Sequence, residues 1–190
     1  MSHIEPPQLT AQQQAQVDLW EAHTRAEFID KDAAASCDTM IPDAYVNHVP
    51  TLAGGHGRRQ LEHFYGHYFI PHMPPDTETE LISRTVGHGQ IVDELIFRCT
   101  HTTHIEWLLP GVPPTGRRLE LVLVVIVAFE NGKMHHEHIL WDQASALVQL
   151  GLLDPTNLPV VGREAARKLQ DPAAIPSNTL LKRHHPDPLL

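Results

Sequence analysis

The sequence predicts an α+β domain in which two N-terminal helices, a run of antiparallel strands and a short closing helix follow one another, the helices covering one face of a curved sheet. Three observations carry this. Helix-spaced apolar residues occupy the first third of the chain, and strand-like runs fill the stretch from Glu78 to Trp141. Between two of those runs lies Asn131-Gly132, the strongest short hairpin signal a sequence offers. A sheet of this kind wraps into a cone, and the mouth of a cone is a pocket.

Residues 1–16 are a polar lead-in. Val17 to about Ala35 reads as a helix on a partial stripe of Val17, Trp20, Phe28 and Ile29. A break is expected at Ile41-Pro42, because a residue before proline avoids the α region. Tyr45 to Val49 reads as a short strand stopped by Pro50. The loop LAGGHG leads into a second helix, about Arg58 to Phe69, closed by Pro71 and Pro74-Pro75. Thr79 to Val86 and Ile91 to Thr103 read as strands, with Ile105 to Leu109 continuing the second. Leu119 to Glu130 pairs through the Asn131-Gly132 turn with Met134 to Trp141. Asp142 then stands at a helix N-cap ahead of Ala144 to Leu150, with Gly151 as the C′ residue. The domain is set at 17–153. Residues 154–190 are a proline-rich arm with one helical piece near Arg163 to Leu169, lying on the surface or on a partner subunit.

The 190 residues are enough for one domain with a substantial core, and 42% hydrophobic with 19% charged residues is an ordinary globular balance. A net charge of −9 without a basic stripe argues against nucleic acid or an anionic membrane as partner. Cys37 and Cys99 form no disulfide or metal-knuckle pattern, and the N-terminal stretch has no secretion signal, so a cytoplasmic protein is expected. The outlying count is 15 histidines.

Those histidines concentrate in MHHEHILWDQ, Met134 to Gln143. In a regular two-residue hairpin Val127 faces His136, Val125 faces His138 and Leu123 faces Leu140. His136, His138 and the direction of Asp142 then share one face, and His135, Glu137, Ile139 and Trp141 the other. Adjacent strand residues point apart, so only His136 and His138 converge. A metal site would need a third ligand such as His101 or His104, in a spacing that matches no usual zinc pattern. An acid/base pair of His138 and Asp142 needs less, although Asp142 fits a plain helix cap equally well. Asn47 and His48 compete for the pocket from the short strand. His63 and His67 fit a solvated helix face, and His72, His184 and His185 lie among prolines.

The ordered set YVNHVP, GHGRRQLEHFY, FRCTHT, PPTGRRLEL and ENGKMHHEHILWDQ…LVQLG resembles the SnoaL-like polyketide cyclases of the nuclear transport factor two-like superfamily of α+β barrels. The resemblance runs from about Trp20 to Leu153. It implies a homodimer with a deep apolar pocket in each subunit and no obligatory cofactor. It also implies that an aspartate at the end of the last strand, here Asp142, serves as general acid/base in an aldol-type ring closure. A pocket-facing family tryptophan is replaced by His138, which makes the site more basic. The expectation is proton transfer beside a carbonyl, as cyclisation, isomerisation or dehydration. Asp142, His138, His48 and His101 would be catalytic, and Asn47, His104, Trp141 and Tyr45 would line the substrate site, which takes a small apolar or carbonyl-containing ligand. Two other readings stay open: a non-catalytic binding protein, and a metal-dependent lyase or hydrolase using His136, His138 and His101 or His104.

Overall fold

A computed structural model describes residues 8–183 and 185. The lead-in up to residue 7, His184, Pro186 and Pro188 lie outside the described residues. The expected α+β class holds. Helix α1 (Ala11–Arg25) begins with a capping box in which the Thr10 hydroxyl accepts from the Gln13 N–H and the Gln13 side chain accepts from the Thr10 N–H. The single helix expected to Ala35 is in fact divided. A wide π turn (Ala26–Asp30) ends at Lys31 in the left-handed region, and Asp32 caps a new helix, α2 (Ala33–Asp38). The turn leaves Ile29 exposed, so that residue does not belong to the buried stripe.

Strand β1 (Met40–His48) starts earlier than expected and carries Pro42 where its pairing register shifts. The glycine-rich loop contributes an edge strand, β2 (Ala53–His56), antiparallel to β1. Gly54 is required there, because it sits at φ +142° and a Cβ would come within 2.0 Å of the Val46 carbonyl oxygen. Helix α3 (Arg58–Phe64) runs on into a π turn over Tyr65–Phe69. Strands β3 (Glu78–Val86), β4 (Gln90–Thr100), β5 (Arg118–Glu130) and β6 (Lys133–Trp141) follow. Residues 105–109 do not continue β4. They form a turn whose Ile105, Trp107, Leu108 and Leu109 are buried, closing one end of the core.

The six strands form a curved, open sheet in the order β2-β1-β6-β5-β4-β3, with β1 and β6 parallel and the other pairs antiparallel. One irregularity decides the site. The turn pairs Glu130 with Lys133 and Phe129 with Met134 as expected, but a bulge then shifts the register by one residue. Val127 therefore pairs with Glu137, Ile126 with His138 and Val125 with Ile139. Because side chains alternate, that one-residue slip exchanges the faces of everything beyond it. The concave face of β5 carries Leu119, Leu121, Leu123, Val125 and Val127, all buried. Glu137, Ile139 and Trp141 join it, and His136 and His138 turn outward.

Helix α4 (Gln143–Leu150) is capped by Asp142, and Gly151 follows at φ +72° as its C′ residue. The described part of the arm folds back on the sheet. Its helix α5 (Glu164–Gln170) packs on β5 with Ala166 fully buried, and the Gly162 carbonyl accepts from the Ser145 hydroxyl at 2.9 Å.

Candidate active site

The helical segments and the concave sheet enclose a cavity of about 200 Å³. Trp20, Phe28, Tyr65, Phe69 and Trp107 give it an aromatic wall, and Val46, Leu123, Val125 and Ile139 an aliphatic floor. Thr79 and Leu81, both exposed on β3, also line it and mark its mouth.

Three buried polar side chains meet at the inner end. His23 and Glu27 stand four residues apart, across the junction from α1 into the first π turn, and Glu137 comes from β6 through the shifted register. The Nδ1–H of His23 donates to the Ser36 carbonyl at 3.1 Å and to the Thr39 hydroxyl at 2.7 Å, which in turn donates to the same carbonyl at 2.6 Å. That arrangement fixes the tautomer and aims Nε2 at the carboxylates. Nε2 lies 3.0 Å from Glu27 Oε1, 3.9 Å from Glu137 Oε2 and 3.3 Å from the Tyr65 hydroxyl. Glu27, Glu137 and Tyr65 line the cavity, and His23 supports them from beneath.

Two carboxylates around one imidazole cannot both be neutralised by it. Burial works against a charged His23, but the charge and hydrogen bond of Glu27, with the charge of Glu137, outweigh it and raise its pKa. Burial, reinforced by the neighbouring Glu27 charge, pushes Glu137 from 4.5 up to about 8, so at neutral pH this carboxyl holds a proton. Burial raises the Tyr65 phenol well above its ordinary value, which keeps it an O–H donor. The ligand atoms of His23, Glu27 and Glu137 all lie within 4.8 Å of one another, so the same three residues have the reach to hold a divalent cation.

A second polar group lies on the cavity wall beside β3. Arg84 Nε and Nη2 donate to the two Asp93 oxygens at 2.7 and 2.8 Å, and Trp20 Nε1 donates to Asp93 Oδ2 at 2.8 Å. Arg84 also reaches Glu21 at 3.0 Å. His48 sits on β1 among Phe64, Phe69 and Trp107, its ring centroids 5.1–5.7 Å from theirs. Its Nδ1–H donates to the Ala53 carbonyl at 3.2 Å, and burial lowers its pKa to about 4.

Of the residues singled out in the sequence, the structure brings His48 to the cavity and places the others elsewhere. Asp142 is exposed, and its Oδ1 accepts from the Ser145 N–H at 3.1 Å as the cap of α4. His138 lies on the outer face, half-buried, 3.1 Å from the Tyr45 hydroxyl, because the bulge turned it outward. Tyr45 and Asn47 face the same way, since Val46 and His48 take the inward positions of β1. His101 is buried beyond the end of β4, where its Nδ1 accepts from the Thr115 N–H at 3.3 Å. His104 is exposed, 3.6 Å from Glu106. Trp141 faces inward but stands behind Trp107, its indole N–H bound to Gln143 at 2.6 Å. The metal set of His136, His138 and His101 or His104 does not converge; among the described residues His23, Glu27 and Glu137 do. Sequence reading missed these three. Their signal is a His-Glu pair at i, i+4 in line with Trp20 on α1, read together with a glutamate between strand histidines.

The comparisons agree with this architecture. A SnoaL-like protein of Jannaschia sp. CCS1 superposes with a TM-score of 0.60 at 16% identity, covering 78% of this chain and 100% of that one. TsrD from Streptomyces laurentii gives 0.58 at 20% identity, over 77% of this chain and 100% of that one. IdmH from Streptomyces antibioticus gives 0.53 at 22% identity, over 75% and 99%. At these identities the likeness establishes the fold. No curated protein matches the sequence. The family model of the SnoaL-like polyketide cyclases matches residues 21–150, and with the fold and cavity in place the chain belongs to that family.

Proposed function

We propose that this protein catalyses proton transfer at the carbon next to a carbonyl, with Glu137 and Glu27 as its acid and base. The observation that carries the reading is a pair of buried carboxyls on the cavity wall, Glu27 and Glu137, 3.0 and 3.9 Å from the Nε2 of one imidazole, with burial and the Glu27 charge raising the pKa of Glu137. Glu27 takes the α-proton of a bound ketone while Glu137 delivers its proton to the carbonyl oxygen, giving the enol. Return of the proton from Glu27 to a different carbon of a conjugated enol, while the enol O–H gives its proton back to Glu137, completes isomerisation. Attack of the enol carbon on a second carbonyl, whose oxygen takes the proton from Glu27 while the enol O–H returns its own to Glu137, completes ring closure. His23 steadies the charge on Glu27, and the Tyr65 hydroxyl offers a further donor to the developing oxyanion. The carboxylate role expected of Asp142 passes to residues that touch the cavity.

The test is deuterium uptake at the α-carbon of 2-tetralone in D2O, followed by proton NMR. The protein should accelerate exchange over buffer, and the acceleration should fall as pH rises through about 8, where Glu137 loses its proton. Exchange no faster than buffer between pH 6 and 8 would overturn the proposal and leave a binding protein.

A further inference from the structure

The cavity wall specifies more than a ketone. Its charges are matched within the protein: Arg84 is held by Asp93 and Glu21, and Glu27 by His23. Glu137 carries its proton and His48 is neutral at pH 7. No unmatched cation lines the cavity among the described residues, so an anionic ligand would enter an apolar site without a counter-charge. Size restricts the ligand further. About 200 Å³ falls below the roughly 300–1,000 Å³ of sites for drug-sized molecules, room for one or two fused rings.

His48 supplies the polarity at the other end. A carbonyl oxygen only accepts, so the bond to Ala53 places the ring proton on Nδ1 and leaves Nε2 a bare lone pair. Nε2 has no partner among the described side chains or backbone groups, and an O–H donor from a ligand would satisfy it. The register fixes its distance from the acid. Val46 lies beside Glu137 and His48 beside Ile139, so His48 stands two residues further along the neighbouring strand. At about 3.3 Å per residue along the strand and 4.8 Å across, the two positions are roughly 8 Å apart.

Resting on the acid/base reading above, we infer that the substrate is a neutral one- or two-ring ketone with a hydroxyl on the edge away from the reacting carbonyl, the hydroxyl donating to His48 Nε2. The aromatic wall receives the ring faces.

Quenching of tryptophan fluorescence tests this, since Trp20 and Trp107 line the cavity. The probes are 2-tetralone, 6-hydroxy-2-tetralone and 6-carboxy-2-tetralone, titrated into wild type and His48→Phe. The hydroxylated ketone should bind wild type roughly 3- to 10-fold more tightly than the parent, the range of one buried neutral hydrogen bond. The carboxylated one should bind at least 10-fold more weakly than the parent, and His48→Phe should abolish the hydroxyl preference. Equal or tighter binding of the carboxylated ketone, or a hydroxyl preference that survives His48→Phe, would overturn the inference. The wild-type titrations decide it alone should the variant fail to fold. Loss of the acid/base reading appears separately, as absent deuterium uptake with this binding pattern intact.

Discussion

Replacing Glu137 with Gln should make stability less sensitive to alkali, by an amount the site itself sets. The carboxyl titrates near 4.5 when unfolded and about 8 when folded, so between those values the folded chain binds a proton that the unfolded chain has lost. A raised folded pKa means stability that is complete below the unfolded value and drains away as pH rises through the folded one. Each pH unit in the window costs about 1.4 kcal/mol, so wild type loses up to about 4 kcal/mol between pH 5 and pH 8 through this group. Glutamine has nothing to titrate and preserves the shape of the protonated acid. The variant should therefore gain on wild type by up to about 4 kcal/mol over that range. For a chain of this size that is roughly 8–16 °C in Tm. Thermal unfolding of both proteins at pH 5, 6.5 and 8 measures it. A Tm difference that stays constant with pH would mean instead that Glu137 is ionised in the folded chain and that its pKa is not raised.

Two further substitutions separate structure from chemistry. Asp142→Ala removes the cap on α4 and should cost about 0.5–2 kcal/mol in urea unfolding. Arg84→Ala strips the partner from the buried Asp93 carboxylate and should cost about 3–5 kcal/mol by the same measurement, well above the loss from an exposed ion pair.

Much of the fold was legible in the residues. Asn131-Gly132 gave the hairpin, Asp142 and Gly151 gave both ends of α4, and strand texture from Glu78 onward gave the sheet. The site was less so, first because of a bulge. A regular hairpin sets His138 opposite Val125 and so in the cavity, whereas the bulge sets Ile139 there and turns the imidazole out. Nothing local in Met134-His135-His136 announces that extra residue. The break at Lys31 was hidden because the alanine-rich stretch after it favours helix, and only the Asp32 cap marks the restart. His23 escaped notice because its role comes from β6, more than a hundred residues away in sequence.

On the proposed chemistry the working carboxyl is Glu137 on the cavity wall and not Asp142 at the helix cap. The measurement that tests it most directly is deuterium uptake into 2-tetralone at pH 7 by wild type, Glu137→Gln and Asp142→Asn side by side. Glu137→Gln should lose roughly 10²- to 10⁴-fold, the usual worth of a general acid/base group, and Asp142→Asn should keep a near-wild-type rate. A Glu137→Gln protein that exchanges at the wild-type rate, or an Asp142→Asn protein that is folded and inert, would contradict it.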